Sequence, residues 1–208
     1  MKPHYWTLFA FTLIAGCAGF RPGPAEEPRY IPVELWAGAQ WDGTERTALS
    51  EVDVFSGNGD KRRISGPTAW RHPFTGESLM VYERVNEKQD GPKRQLFTLN
   101  DEGTGLGRVY DARAGSPERW FSNEAMFPVG LWRPGEERTF RYTEYLDTGP
   151  VERVAKIRIR NLDYTYRGIP HSLRYDWTLL DERGQTLFKE RYVYSPGRSL
   201  VSFTDRTR

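Results

Sequence analysis

The side chains that could do chemistry are few in this chain of 208 residues. His72 and His171 are the only histidines beyond the N-terminal stretch. Glu83, Glu144 and Glu190 fall in strand-like runs beside aromatic residues. Two histidines with a carboxylate could bind zinc, and two carboxylates flanking a cleft could hydrolyse a glycoside. Nothing in the spacing brings these residues together, so we expect no metal, no cofactor and no enzymatic activity, with a carboxylate-based hydrolase as an alternative.

Sequence motifs for other catalytic sites are also absent. The chain has no G-x-x-x-x-G-K-[ST] phosphate loop, no G-x-S-x-G nucleophile elbow and no H-E-x-x-H zinc helix. Ser172, His171 and Asp176 lie close together in the sequence, but neighbours along a strand point to opposite faces. A hydrolytic triad from these three residues is therefore not expected.

The single cysteine, Cys17, follows a stretch with the features of a secretory signal. Lys2 provides a positive start, residues 6–14 form an apolar run, and the small pair AG precedes the cysteine. The apolar run is roughly half as long as the approximately twenty residues that a transmembrane helix needs. The sequence therefore predicts that residues 1–16 are a cleaved signal peptide.

The order IAGC at residues 14–17 resembles the lipobox of bacterial lipoproteins. The resemblance implies that Cys17 is lipidated on sulfur and becomes the first residue of the mature chain. Because Ala18 rather than aspartate follows, it also implies sorting to the outer membrane of a Gram-negative envelope, on the periplasmic face. The three acyl chains of that class would anchor the protein durably, whereas a single chain binds membranes only marginally. An ordinary signal peptide with a chance cysteine is the alternative.

The charge and the cysteine content restrict the possible partners. Residues 1–16 contain one lysine and no acidic residue, so their removal from a chain of net charge +2 leaves a nearly neutral protein. Near neutrality argues against nucleic acid or an anionic membrane surface as the main partner. With Cys17 lipidated no thiol remains, which fits an oxidising compartment and excludes disulfides, thiolate metal sites and cysteine nucleophiles.

The mature chain divides into a tether and one domain. Prolines recur through residues 17–32, where they favour extended, semi-rigid chain. We expect this stretch to be a tether, and residues 33–208 to form a single β-rich domain that begins near Val33. WDGTERT (41–47) resembles WRPGEERT (132–139), so two similar halves are an alternative, although turn residues recur by chance.

Alternation of apolar and polar residues predicts strands through most of this domain. KIRIRNL (156–162) places Ile157, Ile159 and, by extension, Asn161 on one face. SLRYDWTLL (172–180) alternates in the same way, and the short loop DERG joins it to TLFKERYVY (186–194) as a hairpin. Further strands are predicted at 51–55, 78–85, 94–99, 138–146 and 199–203.

The predicted fold is mainly β, with an antiparallel sheet forming a curved half-barrel, a barrel or a sandwich. At most one or two short helices are expected. One of them would begin at Ser116, since Pro117 and Glu118 suit the first helical turn. We expect this helix to cover the open side of the curved sheet.

The preferred function is a non-catalytic domain that binds an apolar or amphipathic ligand in a concave, aromatic-lined sheet. The candidate lining residues are Trp132, Tyr142, Tyr175 and Trp177. The architecture would be similar to the half-barrel with a helical lid of the outer-membrane lipoprotein carrier and receptor family. No motif carries that similarity, so it implies fold and location only.

The alternative function is an interaction module that docks an envelope protein or a cell-wall glycan. Tryptophans exposed on a sheet face would be its contact platforms, although large aromatic residues more often pack in cores. The candidates are Trp36, Trp41, Trp70, Trp120, Trp132 and Trp177.

Overall fold

The structure is a computed structural model that describes residues 27–38, 52–55, 61–87 and 91–207. Cys17, the predicted signal peptide and the first repeat-like segment lie outside this range. The described residues form thirteen strands and one short helix. In chain order they are β1 (Arg29–Ile31), α1 (Val33–Ala37), β2 (Val52–Phe55), β3 (Lys61–Arg71), β4 (Ser78–Glu87), β5 (Lys93–Leu99), β6 (Gly105–Arg113), β7 (Arg119–Pro128), β8 (Gly130–Trp132), β9 (Glu137–Leu146), β10 (Gly149–Tyr166), β11 (Ile169–Leu180), β12 (Thr186–Ser195) and β13 (Ser199–Asp205).

Eleven of these strands form one antiparallel sheet that curls into a half-barrel. Its order is β13-β12-β11-β10-β9-β7-β6-β5-β4-β3-β2, so strands adjacent in the chain are adjacent in the sheet. The exception is β8, which leaves the sheet between β7 and β9 and pairs with β1. The predicted fold class, a curved antiparallel sheet, is confirmed, and the half-barrel is the form that it takes.

Each of the eight stretches predicted as strands coincides with a strand of the sheet. The alternation in β11 is also confirmed, because its apolar residues at 173, 175, 177 and 179 are all buried. On the opposite face, Asp176 accepts hydrogen bonds from Arg160 and Arg191 at 2.8 and 2.6 Å. Burial raises the pKa of the Asp176 carboxyl, but the bonds from these two arginines outweigh burial and bring that pKa below its usual value.

The prediction for Asn161 was wrong because β10 contains a bulge. The pairing of β10 with β11 shifts register between Ile159 and Asn161. Ile159 is fully buried as expected, but beyond the shift it is Leu162 that enters the core. Asn161 instead accepts a hydrogen bond from Arg174 at 2.6 Å. Strict alternation could not reveal an inserted residue.

The helix predicted at Ser116 is also wrong, since residues 119–128 form β7. Its local signals suit a helix start, but pairing with β6 and β9 decides the conformation. The helix that does form, α1, lies between Pro32 and Gly38. Gly38 adopts the left-handed conformation that ends a helix, and its N–H donates to the Leu35 carbonyl.

The folded part begins earlier than the predicted tether boundary. Residues 29–31 were assigned to the tether, yet they form β1 and pair with Gly130–Trp132 of β8. Ile31 is fully buried. The apolar Ile31 therefore belongs to the core, and the prolines at 28 and 32 flank a strand rather than continue a tether.

The core lies on the inner face of the half-barrel. Tyr175 Oη on β11 donates to the Met126 carbonyl on β7 at 2.7 Å, and Trp177 Nε1 donates to the Ala125 carbonyl at 2.9 Å. Two strands, β9 and β10, separate β7 from β11 in the sheet. The sheet is therefore curled tightly enough for side chains of one side to reach the backbone of the other.

Helix α1 lies across the concave face and touches both sides of the sheet. The Trp36 ring packs on Phe97 of β5 with ring centres 4.7 Å apart. The Trp36 carbonyl accepts a hydrogen bond from Ser199 Oγ of β13 at 2.6 Å. Trp36 is only 1% exposed. Within the described part of the chain no helix has the length and apolar character to cross a membrane.

Candidate binding site in the half-barrel

A cavity of about 500 Å³ lies on the concave face beneath α1. Its volume falls in the range of roughly 300–1,000 Å³ that is typical of small-molecule sites. Strands β3 to β7 contribute one wall, and β10 to β13 contribute the other. The curl of the sheet, with α1 across it, therefore creates the space.

The wall from β11 to β13 is mainly apolar and aromatic. Phe203 of the edge strand β13 is 59% exposed, which is unusual for a phenylalanine. Burial is the main cause that raises the pKa values of Tyr175 and Tyr192 well above the usual tyrosine value, so both phenols are neutral at physiological pH. The apolar and aromatic members of this wall, with two residues that face them from other elements, are Trp36, Met126, Tyr175, Tyr192, Tyr194, Leu200, Val201 and Phe203.

The opposite wall is polar and rich in cations. Its polar character results from the alternation of side chains along β4 and β5. Residues 84 and 86 of β4 face inward beside residues 95 and 93 of β5, with which they pair. Its members are Arg62, Arg84, Asn86, Lys93, Gln95 and Arg108. A strand face that would ordinarily bury apolar side chains here buries charged and amide groups instead.

Arg108 is the best-compensated cation of this wall. Its Nε donates to Glu124 at 2.7 Å, and Nη1 donates to Asp111. Burial lowers the pKa of Arg108, but the two carboxylates outweigh burial and raise that pKa above its usual value. Tyr142 Oη also donates to Glu124 at 3.1 Å. This charged group is therefore buried with its partners in place.

Lys93 lies next to this network. Its Nζ is 3.2 Å from Asp111 Oδ2, which also accepts from Arg108. Burial is the main cause that lowers the pKa of Lys93, and Arg108 and Arg84 lower it further, whereas Asp111 raises it. Several positive charges therefore lie close enough to repel one another.

Arg84 differs from the other two cations because it pairs with a neutral group. Its Nε and Nη2 donate to Gln95 Oε1 at 3.1 and 2.7 Å. The guanidinium lies over the rings of Phe97 and Trp36, 4.7 and 5.3 Å from their centres. Among the described residues, no carboxylate forms an ion pair with Arg84.

One of the four predicted lining residues, Tyr175, lines the cavity. Trp132 is fully buried, and its Nε1 donates to the Val129 carbonyl at 2.9 Å. Tyr142 is held by Glu124, and Trp177 is held by the Ala125 carbonyl. These three pack in the core rather than against the cavity. Periodicity identified inward-facing residues, but it could not distinguish filled from empty parts of the interior.

The histidines and acidic residues considered for catalysis do not converge. His72 is buried, its Nδ1 accepts from the backbone N–H groups of Phe74 and Thr75, and its Nε2 lies 2.9 Å from the Phe121 carbonyl. His171 pairs with Asp163 at 3.0 Å. Of the three glutamates, Glu83 pairs with Arg94, Glu144 with Arg119 and Arg153, and Glu190 lines the cavity. In the described ranges no three potential ligands cluster as a metal site.

The candidate platform tryptophans divide into two groups. Trp36, Trp132 and Trp177 are buried, whereas Trp70 and Trp120 are partly exposed and stack with ring centres 6.2 Å apart. Trp41 lies outside the described residues. Beside the stack, Phe74 is 58% exposed and packs on Tyr145 with ring centres 4.8 Å apart. We call Trp70, Phe74, Trp120 and Tyr145 the aromatic patch.

Sequence reasoning missed the cations of the cavity. Arg84 lies in the predicted strand at 78–85, but it was not among the predicted site residues. The signal that could have identified Arg84 is its phase, because Tyr82, Arg84 and Asn86 occupy one face of β4 and Tyr82 packs against the core.

No protein-family model, curated protein or solved structure matches this chain in comparisons with known proteins. The fold and the site therefore define the class of protein by themselves: a half-barrel with a cavity that has an aromatic wall and a cationic wall.

Proposed function

We propose that this protein is an outer-membrane lipoprotein whose half-barrel binds an amphipathic ligand from the periplasmic side. The observation that carries the proposal is the cavity of about 500 Å³ with one apolar and one polar wall. A purely apolar ligand would leave the buried guanidinium of Arg84 without a counter-charge, and a purely polar ligand would leave the aromatic wall exposed to water. An amphiphile satisfies both walls. No arrangement of catalytic groups accompanies the cavity in the described residues, so we propose binding rather than catalysis.

Filling the cavity should abolish ligand binding. Leu200→Trp places a large ring at a half-buried residue of the lining that pairs with Tyr194 of the aromatic wall. Thr204→Trp places the same ring at an exposed residue of β13 that pairs with Arg191 and faces the other side of the sheet. We expect Leu200→Trp to weaken binding of the neutral fluorescent probe N-phenylnaphthylamine by at least about tenfold, a change of about 1.4 kcal/mol. Thr204→Trp should bind the probe like the wild type. Fluorescence titration of the purified full chain measures both.

A circular dichroism spectrum of each variant checks that the sheet is intact. Native mass spectrometry of protein purified from the envelope would identify any amphiphile that copurifies. Equal probe binding by the Leu200→Trp variant and the wild type would show that the cavity is not the binding site, and the proposal would then be abandoned.

The membrane attachment is tested separately at Cys17. If the lipobox is used, Cys17→Ala should yield an unprocessed or soluble protein, because both cleavage and acylation in that class require the cysteine. Fractionation of cells, with metabolic labelling by a palmitate analogue, measures the outcome. A variant that stays attached to the outer membrane as firmly as the wild type would refute the lipid anchor.

The aromatic patch favours a second candidate function, an interaction module for an envelope protein or a cell-wall glycan. The exposed ring of Phe74 beside stacked tryptophans is the observation that favours it. Crosslinking in intact cells distinguishes the two functions. A single defined protein or glycan captured at the aromatic patch would favour the interaction module. A small amphiphile found in the cavity would favour amphiphile binding.

A further inference from the structure

We propose that the polar wall of the cavity is an anion site centred on Arg84, and that the ligand is an amphiphile whose head group carries a phosphate-like negative charge. This inference rests on the proposed function and specifies its class of ligand. Nothing in the chain's overall charge suggests it, because the mature protein is nearly neutral.

Arg84 has no carboxylate partner among the described residues. The residue is only 9% exposed, and an arginine remains charged at any physiological pH. Burial of a charge without a partner is strongly unfavourable. The groups around Arg84 are the amide oxygen of Gln95 and the rings of Phe97 and Trp36, all of them neutral. The guanidinium is therefore mostly buried, with access to solvent only through the cavity, and no carboxylate among the described residues neutralises it.

The surrounding acidic residues do not compensate the positive charge of Arg84. Asp111 and Glu124 are already taken up by Lys93 and Arg108. The described lining contains five basic residues and one acidic residue, Glu190, which accepts a hydrogen bond from Tyr192 Oη. The basic members are Arg62, Arg84, Lys93, Arg108 and Arg167. Of Arg84, Lys93 and Arg108, Arg84 is therefore the one without a carboxylate partner, and its charge is the one that a ligand can neutralise.

Arg84 and Lys93 present hydrogen-bond donors on the same inner face. In Arg84, Nε and Nη2 are used by Gln95, which leaves Nη1 without a partner among the described groups. Lys93 lies on the same inner face, one inward position along β5 from Gln95, the residue paired with Arg84. A guanidinium with a neighbouring ammonium suits an oxyanion, whose oxygens accept several charged hydrogen bonds at once. A phosphate monoester meets this requirement.

The apolar wall lies in the same cavity as these donors. Tyr175, Tyr192 and Tyr194 lie in the same cavity as Arg84, and the exposed ring of Phe203 lies at the open edge strand. An acyl or alkyl chain attached to the bound head group would lie along these rings. The site therefore recognises the head by charge and the tail by burial.

The test compares three soluble probes on the purified full chain by isothermal titration calorimetry. Dodecyl phosphate has the chain and the charge, dodecanol has the chain alone, and inorganic phosphate has the charge alone. We expect dodecyl phosphate to bind most tightly. Arg84→Gln removes the charge but keeps a donor for Gln95, and it should weaken binding of dodecyl phosphate by about ten- to a hundredfold. Binding of dodecanol should be unchanged.

Arg94→Gln is the matched control. Arg94 lies next to Lys93 on β5, faces the opposite side, and pairs with Glu83 while its guanidinium lies over the Tyr110 ring. It therefore undergoes the same change of charge outside the cavity, and it should bind all three probes like the wild type. In the absence of ligand, Arg84→Gln should not lower the midpoint of thermal unfolding, since it removes an uncompensated charge. A lowered midpoint with unchanged affinity would show that Arg84 is structural and would overturn the proposal.

The remaining outcomes separate this inference from the proposed function. Equal affinities for dodecyl phosphate and dodecanol, with no effect of Arg84→Gln, would overturn the anion site and leave amphiphile binding intact. Inorganic phosphate binding as tightly as dodecyl phosphate, and weakened by Arg84→Gln, would support the anion site but assign it to a free phosphate and overturn the amphiphile. Failure of all three probes to bind would overturn both.

Discussion

Arg108→Leu is expected to lower the free energy of unfolding by about 3–5 kcal/mol. The change removes the cation that holds Glu124 and Asp111 on the inner face, and both carboxylates are nearly inaccessible to solvent. Each would be left as a buried negative charge, although Asp111 would keep its contact with Lys93. Urea unfolding followed by circular dichroism measures the loss. It is a large fraction of the roughly 5–15 kcal/mol that stabilises a typical protein.

A double variant tests the physical reason for this loss. Arg108→Leu combined with Glu124→Gln should be more stable than the Arg108→Leu variant alone, because the neutral amide needs no counter-charge. Arg94→Gln, which removes an exposed ion pair with Glu83, should change stability by less than about 1 kcal/mol. If the Arg108→Leu variant were as stable as the Arg94→Gln variant, the inner network would not contribute as described.

Trp36→Ala is expected to lower the free energy of unfolding by about 3–5 kcal/mol. Trp36 is the largest side chain of α1, it is 1% exposed, and it contacts Phe97 and Tyr82 on the inner face. Its removal would leave a void continuous with the cavity and would remove the ring that α1 packs against the sheet. Denaturant unfolding measures the change, and fluorescence titration with N-phenylnaphthylamine reports whether the enlarged cavity still binds an apolar probe.

Trp70→Ala is the control for this variant. Trp70 is partly exposed and packs against Trp120 on the aromatic patch, away from the cavity. Its removal costs less apolar burial and should lower stability by about 1–2 kcal/mol. Equal losses for the two variants would indicate that α1 contributes little to the closure of the half-barrel.

The strands could be predicted from the sequence because alternation depends on local spacing. β11 shows this most clearly, since one face carries Leu173, Tyr175 and Trp177, and all three are buried. Strand β7 could not be predicted, because Ser116, Pro117 and Glu118 form a good local helix start while the pairing that determines the strand involves distant residues. The bulge after Ile159 likewise depends on the partner strand.

The candidate site was only partly predictable. Tyr175 was correctly placed at the cavity, but its apolar neighbours Trp132 and Trp177 fill the core. Whether an inward-facing ring meets a void depends on the curl of the sheet, which the sequence does not display. Arg84 was missed because its phase with Tyr82 identifies its face only once Tyr82 is known to pack against the core. The net charge of the chain was equally uninformative, because it does not show that one buried arginine, Arg84, pairs with a neutral amide.

The pairing of β1 with β8 determines how far the protein could reach from a membrane. Under the proposed lipidation, the chain from Cys17 to Arg29 can span at most about 40 Å, since an extended residue covers roughly 3.3–3.6 Å. The end of this segment is held by β1, immediately before α1, the helix that lies over the cavity. Because Trp36 of α1 lines the cavity, one short segment would join the proposed anchor to the element that covers the site, and an amphiphile could pass between bilayer and protein over a short path through water.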